Sequence, residues 1–203
     1  MSGFYKPDDG KIIFQSNEIT DLAPHKIYKL GIARTFQIPS LFWKLTVLEN
    51  LLVAEKDNPG ESFGKALFKK TWVREEESSV SKAAGILHLI GLSEQWDTPA
   101  VLLSGGQMKL LEMGRALMSG ARLLMLDEPV SGVNPTLAHE IFARIIKLRD
   151  TLGITFLIVE HRLDIALGYV DHVSAMAYGK LIASGEAEKV INDPEVIEAY
   201  LGK

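Results

Sequence analysis

The chain has 203 residues, 47% of them hydrophobic and 24% charged, a composition that supplies one sizeable globular core. Its 22 Lys and Arg against 26 Asp and Glu leave a formal net charge of −4, which excludes the broad basic surface of a general nucleic-acid binder. With no cysteine, disulfides, thiolate metal sites and thiol chemistry are excluded as well. The longest apolar runs, such as Leu123-Leu124-Met125-Leu126, fall far below the roughly 18 residues of a spanning helix. The start, Met1 to Pro7, lacks the charged-then-apolar order of a signal peptide, so the expectation is a chain in the cytosol or docked to a membrane from that side.

In chain order, the turn residues Pro7-Asp8-Asp9-Gly10 predict a strand at Lys11-Ile12-Ile13-Phe14. A short helix from Pro24 to Leu30 is stopped by Gly31, and Ile32 to Phe36 reads as a second strand that delivers Gln37 into a loop ahead of Pro39. Thr46-Val47-Leu48-Glu49 has capping-box spacing and opens a helix through about Ala54. Lys56 to Lys65 is polar and glycine-containing, the best linker candidate. From Thr71 to Leu92 the apolar positions Val80, Ala83, Ala84, Leu87, Leu89 and Ile90 predict a helix ending at Gly91. Residues of about 41–100 thus read as a mostly helical subdomain.

Beyond Leu102 the pattern alternates. Gly105 to Met118 is helical, Arg122 to Leu126 a buried strand, Pro135 to Leu152 a helix with the stripe Leu137, Ile141, Phe142, Ile145, Leu148 and Leu152, and Thr155 to Val159 a strand. Strands alternating with crossover helices imply an α/β fold with a mostly parallel sheet and ligand chemistry at the strand carboxyl ends. The last part, about 172–203, reads as a hairpin turning at Gly179-Lys180, then two short helices.

Three strand ends carry polar groups. Arg122 to Leu126 runs into Asp127 and Glu128, a pair suited to holding a magnesium shell and polarising a water; it is equally a solvated acidic turn. Ser104-Gly105-Gly106-Gln107 opens a helix with capping-box spacing and glycines that leave backbone N–H donors approachable; this suits an anion and also suits a plain N-cap. His161 follows the next strand, either as a phosphate contact or as a helix-capping histidine, and Gln37 follows an earlier one. Glu160 and Asp164 read as solvated or salt-bridged. Gln107 precedes Asp127 by 20 residues, one helix plus one turn, and His161 follows Glu128 by 33, so polar groups are expected at three strand ends around one crevice.

In this order the motifs resemble those of the ATP-binding cassette (ABC) ATPases. Gln37 is similar to the Q-loop, Leu103 to Gln107 to the signature, Leu123 to Glu128 to the Walker B strand, Ser131-Gly132-Val133-Asn134-Pro135 to the D-loop, and His161 to the switch histidine. Arg34 to Gln37, Leu48-Glu49-Asn50-Leu51-Leu52, Val159-Glu160-His161 and Val196 to Gly202 further resemble the ATPase subunits of branched-chain amino-acid uptake transporters.

The resemblance implies a P-loop NTPase-like fold, with ATP and Mg2+ as cofactors. Glu128 and His161 would be the catalytic pair, Glu128 as base or water-positioning carboxylate and His161 against the γ-phosphate. Gln37 and Asp127 would act through magnesium, partly by way of water. Ser104, Gly105, Gly106, Gln107 and Asn134 complete the nucleotide set, with Ser104 and Gly106 facing ATP held by a second, head-to-tail ATPase subunit, identical or different. Asn134 stands where this D-loop position usually carries aspartate. The implied partners are that second subunit, transmembrane permease subunits and, indirectly, a solute-binding protein, with no nucleic acid; the implied place is the inner face of the plasma membrane. A non-hydrolysing remnant or a soluble, non-transport ABC protein is the alternative.

The phosphate cradle Gly-x-x-x-x-Gly-Lys-Ser/Thr does not occur in the 203 residues. The N-terminal strands and P-loop are therefore read as missing, through a misplaced start, a shortened product or a true remnant. Two expectations follow: the 203 residues bind ATP weakly, and a gap opens beside the Walker B strand, where the P-loop strand is expected to pair.

Overall fold

A two-residue turn starts the fold. β1 (Ile13–Phe14) and β2 (Asn17–Glu18) pair antiparallel, and the turn residues Gln15 and Ser16 both have positive φ, 46° and 66°. The predicted strand is thus found in its second half, and it pairs with an unexpected partner through a primed turn without the usual Asn-Gly signal. The computed structural model describes residues 1–56 and 69–201, the side chains of 69–75 and 201 excepted, and they form two compact units, Met1–His161 and Arg162–Lys203. The predicted linker lies outside the described residues from position 57 onward.

In the first unit, α1 (Pro24–Lys29) begins on proline, whose fixed φ suits the first helical turn. Three strands follow in the order β3 (Ile32–Arg34), β4 (Leu123–Asp127), β5 (Thr155–Val159), all parallel, with Ile32 opposite Leu123 and Leu123 opposite Thr155. Parallel pairing needs crossovers, and the helices between the strands supply them. Ile19, Ile27, Ile32 and Leu123 form a buried cluster on one face of the sheet.

The Walker-B-like strand β4 has both edges occupied, by β3 and by β5. No strand can therefore join beside it, which corrects the expected gap there: among the described residues the unpaired edges are those of the outer strands β3 and β5, and on β5 Leu157 is 42% and Val159 60% exposed.

The helical layer comprises α2 (Val47–Leu52), α3 (Lys69–Ile90), α4 (Gly105–Met118) and α5 (Pro135–Leu152). Thr46 and Glu49 form the expected capping box at α2, worth about 1 kcal/mol. On α3 the buried stripe is Ala83, Ile86, Leu87 and Ile90; Ala84 and Val80, expected on it, are exposed. α4 meets α2 and α3 at Gly114, where a Cβ would stand 2.8 Å from Ile90 and 3.0 Å from Leu51. α5 buries Ile141, Phe142, Ile145 and Leu148 as expected, adds Ala138, and leaves Leu152 exposed beside the left-handed cap Gly153.

The second unit contains α6 (Leu163–Ala166), the hairpin β6 (Val173–Ala177) and β7 (Lys180–Gly185), then α7 (Ala187–Ile191) and α8 (Pro194–Leu201). The hairpin turns on Tyr178-Gly179, both at positive φ, and Ala175, Val190 and Val196 form its small core. No helix among the described residues is long and apolar enough to cross a membrane.

Candidate nucleotide site

The parallel sheet brings the carboxyl ends of β3, β4 and β5 side by side, and each delivers one polar side chain. Gln37 Nε2 donates to Glu128 Oε2 at 2.8 Å, and His161 Nδ1 lies 3.5 Å from Glu128 Oε1. Both Glu128 oxygens therefore face a group from a neighbouring strand end. Glu128 itself is held at φ 47°, a left-handed conformation that costs a non-glycine residue of order 1 kcal/mol. The turn is fixed by Glu128 N–H donating to Val159 O at 2.9 Å and Ser131 N–H donating to Glu128 O at 3.1 Å.

Asp127 accepts from Arg34 Nη2 at 2.9 Å, with both side chains about a third exposed, and Arg34 also lies over Phe36. In solvent this ion pair is weak and can be given up to a cation. A nucleotide-bound magnesium takes one or two protein oxygens and fills its shell with phosphate oxygens and water, which Asp127 and Gln37 fit. Among the described residues no cluster of three or more His, Asp or Glu could hold a metal by itself.

Ser104 and Gln107 cap α4 reciprocally, Ser104 N–H to Gln107 Oε1 at 2.8 Å and Gln107 N–H to Ser104 Oγ at 3.3 Å. Ser104 and Gly105 are exposed, and a Cβ on Gly105 meets nothing within 4 Å. Gly106 differs. It is buried, and a Cβ there would lie 2.5 Å from Leu137 Cδ2, so its lack of a side chain serves the packing of α4 on α5. Asn134 caps α5, its Oδ1 accepting Leu137 N–H at 2.9 Å. Signature and D-loop segments thus meet on one residue, Leu137. His161 does not cap α6, whose N-cap is Arg162.

Three residues of this region were not legible as site residues. Asn50, fully buried, accepts Phe42 N–H and donates to the carbonyls of Phe42, Leu45 and Thr46, fixing the segment beyond Gln37. Glu160 is 3% exposed at its side chain and accepts Val130 N–H and His161 N–H, each at 3.0 Å; the solvated reading is wrong, because β5 turns it inward at its end. Asp164 is salt-bridged to Arg162 at 3.3 Å as expected. Lys109 Nζ donates to Glu128 O at 3.1 Å and Ser131 O at 2.7 Å. Burial pushes its ammonium below the usual lysine range, against the pull of Glu160, Glu128 and Glu112. Asn50 and Lys109 are polar residues within apolar periodic stretches, the one signal available in advance; Glu160 carried none.

Residues 1–131 match the family model described as ABC transporter, and residues 180–203 the model described as branched-chain amino acid ATP-binding cassette transporter. The probable branched-chain amino acid transport ATP-binding protein LivG of Archaeoglobus fulgidus is 50% identical over all of this chain and 77% of its own length. The high-affinity branched-chain amino acid transport ATP-binding protein LivG of Escherichia coli K12 is 35% identical over all of this chain and 80% of its own length. The crystal structure of the ADP conformation of MJ1267, an ATP-binding cassette of an ABC transporter, matches at a TM-score of 0.82 and 48% identity, covering 100% of this chain and 80% of that one. The chain accordingly belongs to the ABC transporter family of ATP-binding cassettes, in its branched-chain amino-acid group.

Proposed function

We propose that the chain is the ATP-binding and ATP-hydrolysing subunit of an importer for branched-chain amino acids. The convergence of Gln37, Glu128 and His161 on one point, from three adjacent strand ends, carries this reading. Bound with nucleotide, magnesium supplies charge neutralisation at the phosphate oxygens. The chain's own residues do the rest. Asp127 and Gln37 would hold the ion from two strand ends, Glu128 would orient a water and take its proton, and His161 would contact the γ-phosphate. Ser104, Gly105 and Gln107 at the exposed amino end of α4 face the nucleotide of a second ATPase subunit, with Gly106 shaping that end from inside. The remaining phosphate contacts have no matching pattern in the 203 residues.

Coupling to permease subunits is assigned to the helical subdomain of about 41–100 and the segment entering it. Phe36, Ile38, Phe42, Trp43, Val101 and Leu102 are exposed apolar groups on two adjoining segments, joined by Val101 N–H donating to Trp43 O and Ala100 N–H to Leu45 O. Such a patch beside Gln37 suits an apolar partner element. The subunit then sits at the inner face of the plasma membrane, served through the permease by a solute-binding protein.

Co-expression with two candidate permease subunits tests the reading. Co-purification with both, and leucine uptake into proteoliposomes that depends on Mg-ATP and is lost in Glu128→Gln, is the expected result. Recovery with ribosomes or DNA instead, or uptake indifferent to Glu128, overturns it.

A further inference from the structure

The backbone around Glu128 is held from two sides by side chains that no role yet described uses. Lys109 lies one turn beyond the signature glycines on α4. Its ammonium reaches across to the carbonyls of Glu128 and Ser131, the first and last residues of the turn that leads into the D-loop-like segment. Glu160, at the end of β5, places one carboxylate oxygen on Val130 N–H inside that same turn and the other on His161 N–H. The turn is therefore tied to the helix on one side and to the switch strand on the other, and Lys109 and Glu160 attract each other across it.

Chemistry explains why such ties are placed here. Glu128 adopts φ 47°, which a non-glycine residue leaves unless its surroundings impose it. Its carbonyl accepts both Ser131 N–H and Lys109 Nζ, so the lysine binds the peptide plane whose rotation would release the strain. Glu160 spends both its oxygens on backbone donors, an arrangement that only an ionised carboxylate satisfies fully: an amide in its place turns one acceptor into a donor facing an N–H.

We propose that Lys109 and Glu160 are positioning residues for hydrolysis, clamping the Glu128–Ser131 turn so that the Glu128 carboxylate and the His161 ring are held at one fixed separation. This rests on the reading of Glu128 as the water-positioning carboxylate. The clamp couples the signature helix, the acid-bearing strand and the switch strand within a single subunit, so a displacement of α4 reaches Glu128 through one ammonium group.

The test uses Lys109→Met, Lys109→Arg and Glu160→Gln, with two readouts. The first is amide exchange by NMR on the chain itself. Exchange at Val130, Ser131 and His161 is expected to rise at least tenfold in Lys109→Met and Glu160→Gln, with the amides of Ile141 to Leu148 on α5 unchanged and with Lys109→Arg restoring protection. Unchanged exchange at the three amides, or an equal rise along α5, overturns the clamp. The second is steady-state hydrolysis in the transporter assembly. There kcat is expected to fall at least tenfold in Lys109→Met with KM within twofold, and Lys109→Arg to recover most of it; kcat within twofold of the parent overturns the positioning role. An assembly that hydrolyses no ATP even when unsubstituted strikes the proposed function and with it the catalytic half of this proposal, while the exchange readout decides the clamp on its own.

Discussion

Gln37 Nε2 donates to Glu128 Oε2 at 2.8 Å, joining two loops 91 residues apart across neighbouring strand ends. In the proposed reaction Gln37 would have to leave this oxygen to help hold magnesium, which would free the Glu128 carboxylate for a water.

Removing either group separates binding from chemistry. In the transporter assembly, Glu128→Gln is expected to lower hydrolysis by about 10²-fold or more with Mg-ATP affinity retained, as for loss of a positioned base. Gln37→Ala is expected to raise the magnesium concentration needed for half-maximal rate. Equal loss of nucleotide affinity in Glu128→Gln would count against the assigned role. The 203-residue chain alone is expected to bind Mg-ATP more weakly than micromolar in isothermal titration.

Gly105 and Gly106 are adjacent in sequence and opposite in consequence. Gly106→Ala forces Leu137 to move and is expected to destabilise the fold by roughly 1–3 kcal/mol, while Gly105→Ala, which meets open space, costs nothing in packing. Leu137→Ala introduced with Gly106→Ala should recover part of the loss, since the added methyl then has room. Denaturant unfolding of these three variants and of Leu137→Ala alone reads this directly, and additive effects of the pair would show that Leu137 is not what Gly106 accommodates.

Asn134 works as a helix cap, a role that charge does not decide. Asn134→Ala removes the acceptor from Leu137 N–H and should cost about 1 kcal/mol, a fall of roughly 2–4 °C in Tm for a chain of this size. Asn134→Asp keeps a cap oxygen and should stay within a degree or so of the parent. A fall in both variants would show that the amide's donor matters, which the capping geometry does not predict.

Glu112 on α4 has its carboxyl pushed up from the ordinary 4.5, first by burial, with Ser40 and Phe36 N–H, Arg115 and Lys109 pulling it down. An acid whose native pKa is raised holds its proton more tightly in the folded chain than in the unfolded one. The associated stabilisation is complete below 4.5 and is lost as pH rises through the native value. Glu112→Gln removes that titration. The stability of the variant relative to the parent is therefore expected to rise with pH through this window, and a pH-independent difference in urea midpoints would contradict the burial argument.

Much of this molecule is written locally. Capping boxes at Thr46 and Ser104 and most of the apolar stripe of α5 depend on residues a turn or so apart, so spacing alone located them. The motif order likewise placed Gln37, Glu128 and His161 at strand ends without coordinates. The stripe of α3 was misread at Val80 and Ala84, which are exposed, and at Ile86, which is buried, and the β1–β2 turn was missed because Gln15-Ser16 carries no glycine.

Order within the sheet and the fate of charged residues were decided elsewhere. Strand adjacency depends on which crossover lands beside which edge, information spread over more than a hundred residues, and it put β4 in the middle with β3 and β5 outside it. Glu160 reads as a surface acid because its neighbours in sequence are unremarkable; only the approach of Val130 from the next loop turns it into a buried acceptor. At Gly106 the need for a missing side chain comes from Leu137, 31 residues away, which packs where a Cβ would stand. Sequence by itself determined which elements form and which chemistry their ends carry, since both follow from local periodicity and residue type. Tertiary structure alone decided which of those polar groups meet, because desolvation and hydrogen-bond pairing act only between segments already brought into contact.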